Sequence, residues 1–205
     1  MKELSILGKI NVSIIYYSAT GTNHQMAVWA KEAAEETGAE VRLRKVKELA
    51  PESAIEQNPL WKKHVAETKD IETAKSEDLE WADAIIFSTP TRFGAPASQM
   101  KQFIDTQGKL WASGKTVNKV VSGMTSAQNP HGGQEATLLS LYTSMMHWGA
   151  ILVPPGYSDP VVFAAGGNPY GTSVSVDQDG NMVEDVAAAV KHQTKRVVEV
   201  TEKLK

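Results

Sequence analysis

Ser18-Ala19-Thr20-Gly21-Thr22-Asn23 is the stretch of this sequence best equipped to hold a ligand. It offers three hydroxyls, one glycine and one amide side chain, set between an apolar run and a helical pattern. Backbone N–H groups at a helix N-terminus attract anions, and the helix dipole adds to that attraction. Ser18, Thr20 and Thr22 can donate hydrogen bonds without bringing positive charge. No lysine follows, so this is not a Walker loop, and the absence of G-x-G-x-x-G argues against a dinucleotide fingerprint. Hydroxyls and amides alone suit a phosphate monoester. The same residue types also serve as ordinary N-caps and turns, and the loop alone leaves both readings open.

Two later loops carry further candidates. Thr89-Pro90-Thr91-Arg92-Phe93-Gly94-Ala95-Pro96 has a proline near each end and a glycine that permits close approach. Phe93 is either a packing plug or a face for a flat ring. Arg92 is either solvated or a charge that stabilises an electron-rich, reduced ligand. Thr125-Ser126-Ala127-Gln128-Asn129-Pro130-His131-Gly132-Gly133 is rich in small and amide side chains and ends before a helical pattern. It is either a glycine-containing connector or a source of backbone contacts to a ring edge.

The elements that must position these loops follow from periodicity. Ile10 to Tyr17 is apolar and β-branched, as a strand buried on both faces would be. Asn11-Val12-Ser13 therefore sits in a buried strand and is no glycan acceptor. Met26, Trp29, Ala30, Ala33 and Ala34 recur at helical spacing, and Gly38 ends that helix. Val41 and Leu43 alternate with Arg42 and Arg44, which predicts a half-exposed edge strand. Ala84–Ser88, Val117–Gly123 and Ala150–Val153 supply three more strands. Helices are predicted over Ala97–Leu110, Gln134–Trp148 and from about Met182 to Leu204. Alternating strands and helices predict a parallel α/β sheet with right-handed crossovers. Five strands opening with a loop-bearing unit fit a flavodoxin-like, three-layer, doubly wound sandwich of order 2-1-3-4-5. In such a sheet ligands bind beyond the carboxyl ends of the strands, which is where all three loops fall. The expectation is one domain over 1–205, with an insertion at about 48–78 that holds a helix and an excursion at about 154–176.

Composition narrows the function classes. The chain has 205 residues, 41% hydrophobic and 22% charged, as an ordinary globular protein has. A net charge of −3, with no basic run, argues against a nucleic-acid partner. There is no cysteine, so disulfides, thiolate nucleophiles and Cys-ligated metals are excluded, and no metal is expected. The opening MKELSILGKINVSII lacks the apolar core of a signal peptide. Apolar runs fall far short of the about 20 residues that a membrane helix needs. The expectation is a cytoplasmic protein with no membrane span.

Six segments, in order, resemble the WrbA family of flavodoxin-like NAD(P)H:quinone oxidoreductases. They are "YYSATGT" (Tyr16–Thr22), "AIIFSTPTRFG" (Ala84–Gly94), "QMKQFIDTQGKLWASG" (Gln99–Gly114), "GGQE" (Gly132–Glu135), "HWGAILVPPGY" (His147–Tyr157) and "GGNPYGTS" (Gly166–Ser173). The resemblance implies FMN as cofactor, NADH or NADPH as donor, a quinone as acceptor, ping-pong two-electron transfer and a homotetramer with sites between subunits. By position it implies that Ser18, Ala19, Thr20, Gly21, Thr22 and Asn23 hold the FMN phosphate. Pro90, Thr91, Arg92, Phe93 and Gly94 would line the isoalloxazine, and Thr125, Ser126, Ala127, Gln128 and Asn129 its far edge. His147 would reach the flavin from another subunit. Trp111 would form an aromatic wall where nicotinamide and quinone alternately stack, with Thr20 on the nicotinamide side. No general-base dyad is expected, because the cofactor carries hydride chemistry; Arg92 and His147 are electrostatic and positioning candidates.

The chain departs from the family pattern at three places. Thr20 replaces an aromatic residue common in relatives. The third loop reads "TSAQNPHGG" where relatives have "SSTGTGGG", and Trp148 follows His147 where relatives can carry a second histidine. Two other readings compete with the enzyme. A one-electron carrier of the flavodoxin type docks through a strongly acidic face, which a net charge of −3 does not supply. A regulatory module would need an interaction tail or basic groove, and the sequence has no such pattern.

Overall fold

Residues 8–205 are described by a computed structural model; the first seven residues of the N-terminal stretch read above for a signal peptide lie outside them. Where β-branched and aromatic residues run without a charge, an interior strand of the sheet forms: β1 (Asn11–Tyr16), buried after its first residue. α1 (Thr22–Glu36) follows the hydroxyl loop, and β2 (Glu40–Lys45) is the half-exposed strand predicted for an edge. Next come α2 (Glu52–Glu56), α3 (Pro59–Glu67) and α4 (Ser76–Trp81). β3 (Ala84–Arg92) and β4 (Ala95–Pro96) lead to α5 (Ser98–Asp105) and α6 (Gly108–Ala112). β5 (Val120–Ala127), α7 (Gln134–His147), β6 (Ile151–Leu152), α8 (Pro160–Ala164), β7 (Ser173–Ser175) and α9 (Ala187–Leu204) complete the chain.

The sheet runs β2-β1-β3-β5-β6, all parallel, with β4 antiparallel on β3 and β7 parallel on β5. Among the described residues it has seven strands, which corrects the expected five. Two features account for the difference. β3 runs on through Arg92 and folds back as a two-residue hairpin with β4. The fifth strand of the expected order is split: β6 pairs with Val120 and Val121, and β7 pairs with Thr125–Ala127 of the same strand. The excursion leaves the sheet between these two pieces.

Side chains alternate across β1 with period two, and each face meets its own helices. Val12, Ile14 and Tyr16 join Met26, Ala27, Ala30, Val190 and Val197 on one side. Ile15, Ile85 and Phe87 join Leu79, Met100, Phe103, Leu141 and Met145 on the other. The sheet is thus the middle of three layers. No helix among the described residues is long and apolar enough to cross a membrane.

Other boundaries moved for local reasons. The region predicted as one helix over Ala97–Leu110 is two, because the Gln107 side chain takes the Phe103 carbonyl and the Ser76 hydroxyl at the break. The strand predicted at Val117 starts at Val120, after Asn118 turns the chain with a φ of 62°. The insertion holds three helical segments in place of one. The last helix starts at Ala187, later than predicted, because Met182 bridges back to Val176 across a turn that the Asp177 carboxylate holds through the amides of Asp179 and Asn181.

Candidate functional site

A cleft of about 610 Å³ opens at the carboxyl ends of β1, β3 and β5, where the strand order reverses. That volume lies within the usual range of small-molecule sites, about 300–1,000 Å³. Its floor is the three loops singled out in the sequence.

The first loop sets up the N-terminus of α1. Gly21 takes a left-handed φ of 105° and serves as N-cap, and no side chain caps the first amides of the helix. Ser18 Oγ accepts from the Gly21 amide at 3.0 Å, which leaves its own proton free. Ser18, Ala19, Thr20, Thr22 and Asn23 line the cleft. The Asn23 side chain is already engaged: Nδ2 donates to Ser88 Oγ at 3.1 Å, and Oδ1 accepts from Ser126 Oγ at 2.6 Å. Asn23 therefore ties the three strand ends together, with its backbone carbonyl also accepting from Ser88 Oγ at 3.0 Å.

The second loop is a hairpin turn and not an open loop. Phe93 and Gly94 both have positive φ, 54° and 79°, as a tight two-residue hairpin requires. A bulky residue held there is strained by about 1–3 kcal/mol. The turn presents Phe93 as a fully exposed ring beside Arg92, whose Nη1 donates to the Thr91 carbonyl at 2.9 Å. Thr91 pins the hairpin to its neighbours. Its hydroxyl accepts from Thr137 Oγ1 and from the Gly94 amide, and donates to the Gly132 carbonyl. A Cβ on Gly133 would lie 2.9 Å from Gly94 Cα, so the second and third loops touch backbone to backbone.

The third loop is shorter than its sequence suggests. Thr125, Ser126 and Ala127 belong to β5, extended there by pairing with β7. Ser126, Ala127, Gln128 and Asn129 line the cleft with Pro90, Thr91, Arg92 and Phe93. Thr125 is fully buried inside the strand, and its Oγ1 has no hydrogen-bond partner. Gly21 and Gly94 shape the backbone of the first two loops through their positive φ.

His147 and Trp111 are not brought to the cleft of their own chain. The Trp111 indole donates to the His147 carbonyl at 3.0 Å, and both lie on the surface. His147 ends α7, a helix of 14 residues whose start lies two residues after the cleft residue Gly132, and Trp111 of α6 packs at that far end. That length is about 20 Å.

Sequence reading missed the upper walls. Asn58, Leu60 and Trp61 come from the insertion, and Val176, Asp177, Gln178 and Gly180 from the turn before α9. The two segments meet, since a Cβ on Gly180 would lie 3.1 Å from Leu60 Cδ1. The available signal was Asn58-Pro59, a helix start, carrying a tryptophan in an otherwise polar stretch. Below it lies a second unpredicted group. Tyr16 stacks on His24 at 4.8 Å, and His24 packs against His64 at 5.3 Å. Burial, reinforced by the neighbouring His24, pushes His64 down to about 4.

A cationless anion loop at one end and a slot beside an exposed ring and a free guanidinium at the other suit a flat, phosphorylated ligand. The comparisons agree. Residues 5–160 match the family described as NADPH-dependent FMN reductase. The chain is 53% identical to an NAD(P)H dehydrogenase (quinone) of Deinococcus radiodurans, over 95% of this chain and 97% of that protein. It is 40% identical to a protein of the same description in Archaeoglobus fulgidus, over 94% of this chain and 98% of the other. Among solved structures it is similar to a flavodoxin, WrbA-like protein from Agrobacterium tumefaciens, with a TM-score of 0.67 and 25% identity. That match covers 96% of this chain and all of the other.

Proposed function

We propose a function on the premise that this chain belongs to the family of NADPH-dependent FMN reductases: it is an FMN-dependent NAD(P)H:quinone oxidoreductase that reduces quinones by two electrons. The observation that carries this reading is the cationless, uncapped N-terminus of α1 facing the slot beside Arg92 and Phe93. FMN, when bound, supplies the hydride acceptance from a nicotinamide and the delivery to a quinone.

The residues present fit that group. The free amides of α1 and the hydroxyls of Ser18, Thr20 and Thr22 can satisfy a phosphate dianion without a lysine. Pro90–Phe93 and Ser126–Asn129 flank the slot as two edges, held in register by the Thr91 hydrogen bonds. Arg92, anchored by one Nη1 contact, would hold positive charge beside a bound flavin and favour its reduced form. With one cleft at the strand ends to receive both nicotinamide and quinone beside the cofactor, the two reactants would take turns, a ping-pong order. Trp111 and His147, exposed and remote from their own cleft, are available to the cleft of another copy, which supports a homotetramer. The proposed unit is one flavodoxin-like domain acting in the cytoplasm.

The test compares FMN with riboflavin on the apoprotein by flavin fluorescence. With two or more charge-assisted hydrogen bonds to phosphate, FMN binds about a hundredfold or more tighter. Equal binding of the two would remove the phosphate role of Ser18–Asn23.

A further inference from the structure

We propose that Trp61, carried in by the insertion, is the wall on which the quinone ring docks, and that Glu48 is the positioning residue that holds its indole. The inference rests on the quinone-reductase reading above and adds a residue of this chain's own to it.

Trp61 lines the cleft and is only partly buried. It belongs to neither hydrophobic core, so its apolar surface is not used in folding the sheet's layers. Its backbone is fixed at the start of α3, where Asn58 Oδ1 accepts from the amides of Leu60 and Trp61. Its ring is fixed as well: Nε1 donates to Glu48 Oε2 at 3.2 Å. Glu48 is itself held from several sides. It accepts from the Tyr17 hydroxyl at 3.0 Å, from Gln99 Nε2 at 2.7 Å, and from the amides of Leu49 and Ala50. The residue after β1, helix α5 and the insertion therefore converge on one carboxylate, and that carboxylate orients one indole. A surface tryptophan left to solvent needs no such clamp.

Its place in the cleft points to the second reactant and not to the cofactor. The phosphate loop and both slot edges come from the sheet's own strand ends, complete without the insertion. Trp61 stands on the opposite, outer wall, beside the half-exposed Leu60 that meets Gly180. A ring arriving after the cofactor enters past that wall. A planar indole face favours fused flat rings over single ones, because stacking grows with overlap.

The test uses FMN-loaded protein, oxidised and without donor, titrated with 2-methyl-1,4-naphthoquinone and read from the flavin difference spectrum. Trp61→Ala weakens naphthoquinone binding about five- to tenfold, while Trp61→Phe stays within about threefold. Benzoquinone loses less, so the preference for the larger ring narrows. Glu48→Ala weakens naphthoquinone binding in the same direction, and Glu48→Gln, which can still accept from Nε1, restores it. FMN affinity, measured separately, stays within about twofold of the original protein in all four variants. Unchanged naphthoquinone binding in Trp61→Ala overturns the proposal, and so does an equal loss of FMN affinity, which would make Trp61 a cofactor contact. An original protein that binds FMN but no quinone overturns the functional reading beneath it.

Discussion

The amide of Gly123 donates to the phenol oxygen of Tyr142 at 3.1 Å, at the one stretch of β5 where the sheet's edge offers no strand. Side chains complete the ladder there. Gln193 Nε2 donates to the Gly123 carbonyl, its Oε1 accepts from Thr172, and the Tyr142 hydroxyl donates to the Tyr170 carbonyl. Gly171 passes so close that a Cβ would lie 2.2 Å from the Gly123 carbonyl oxygen. Tyr142→Phe strands the buried amide and costs about 1–3 kcal/mol. Thermal unfolding of the variant falls by about 3–10 °C. An unchanged melting temperature would show that the gap needs no side-chain cover.

The paired histidines His24 and His64 make stability depend on pH. Burial, with the His24 charge adding to it and Glu67 opposing it, lowers His64 from 6.5 to about 4. The unfolded chain therefore binds a proton that the folded chain refuses in this window. The stability His64 contributes is fully present above pH 6.5 and is lost as pH falls toward 4. Melting temperatures taken at steps across that range decline for the original protein and decline less for His64→Leu. Parallel declines would remove His64 as the cause.

Thr20 and Asn23 separate the two jobs of the first loop. Thr20→Ala removes a free hydroxyl and weakens FMN about five- to tenfold with little change in stability. Asn23→Leu breaks the links to Ser88 and Ser126 and lowers stability by about 2–4 kcal/mol even without FMN. Paired FMN titrations and thermal melts of the two apoproteins check the contrast.

Arg92 is the electrostatic test. Arg92→Gln keeps hydrogen-bonding capacity but removes the charge, so the two-electron midpoint potential of bound flavin shifts negative and quinone turnover falls about tenfold. A potential that stays in place would strip Arg92 of that role.

Much of the fold was legible because its signals are local. The unbroken run in β1, the half-polar pattern of β2 and the loop that opens α1 each follow from residues close in sequence. The split fifth strand was not legible, since only Tyr142 and Gln193, 19 and 70 residues away from Gly123, show that the gap can be filled. At the site, the floor loops announced themselves through hydroxyls, glycines and prolines. Asn23 looked like a ligand residue because helix starts favour asparagine for either purpose. Trp61 carried only the signal of a tryptophan after the helix start at Asn58-Pro59, which says nothing of its role. Its meaning depends on Glu48, Tyr17 and Gln99 meeting in space, and no period or spacing encodes that.

The most direct test of the account is the visible spectrum of the FMN-loaded protein, followed anaerobically through stoichiometric NADH or NADPH and then 1,4-benzoquinone. The account predicts that the flavin band bleaches with the nicotinamide and returns promptly with the quinone. A protein that holds FMN whose band neither nicotinamide bleaches, or one that takes up no FMN, would contradict it.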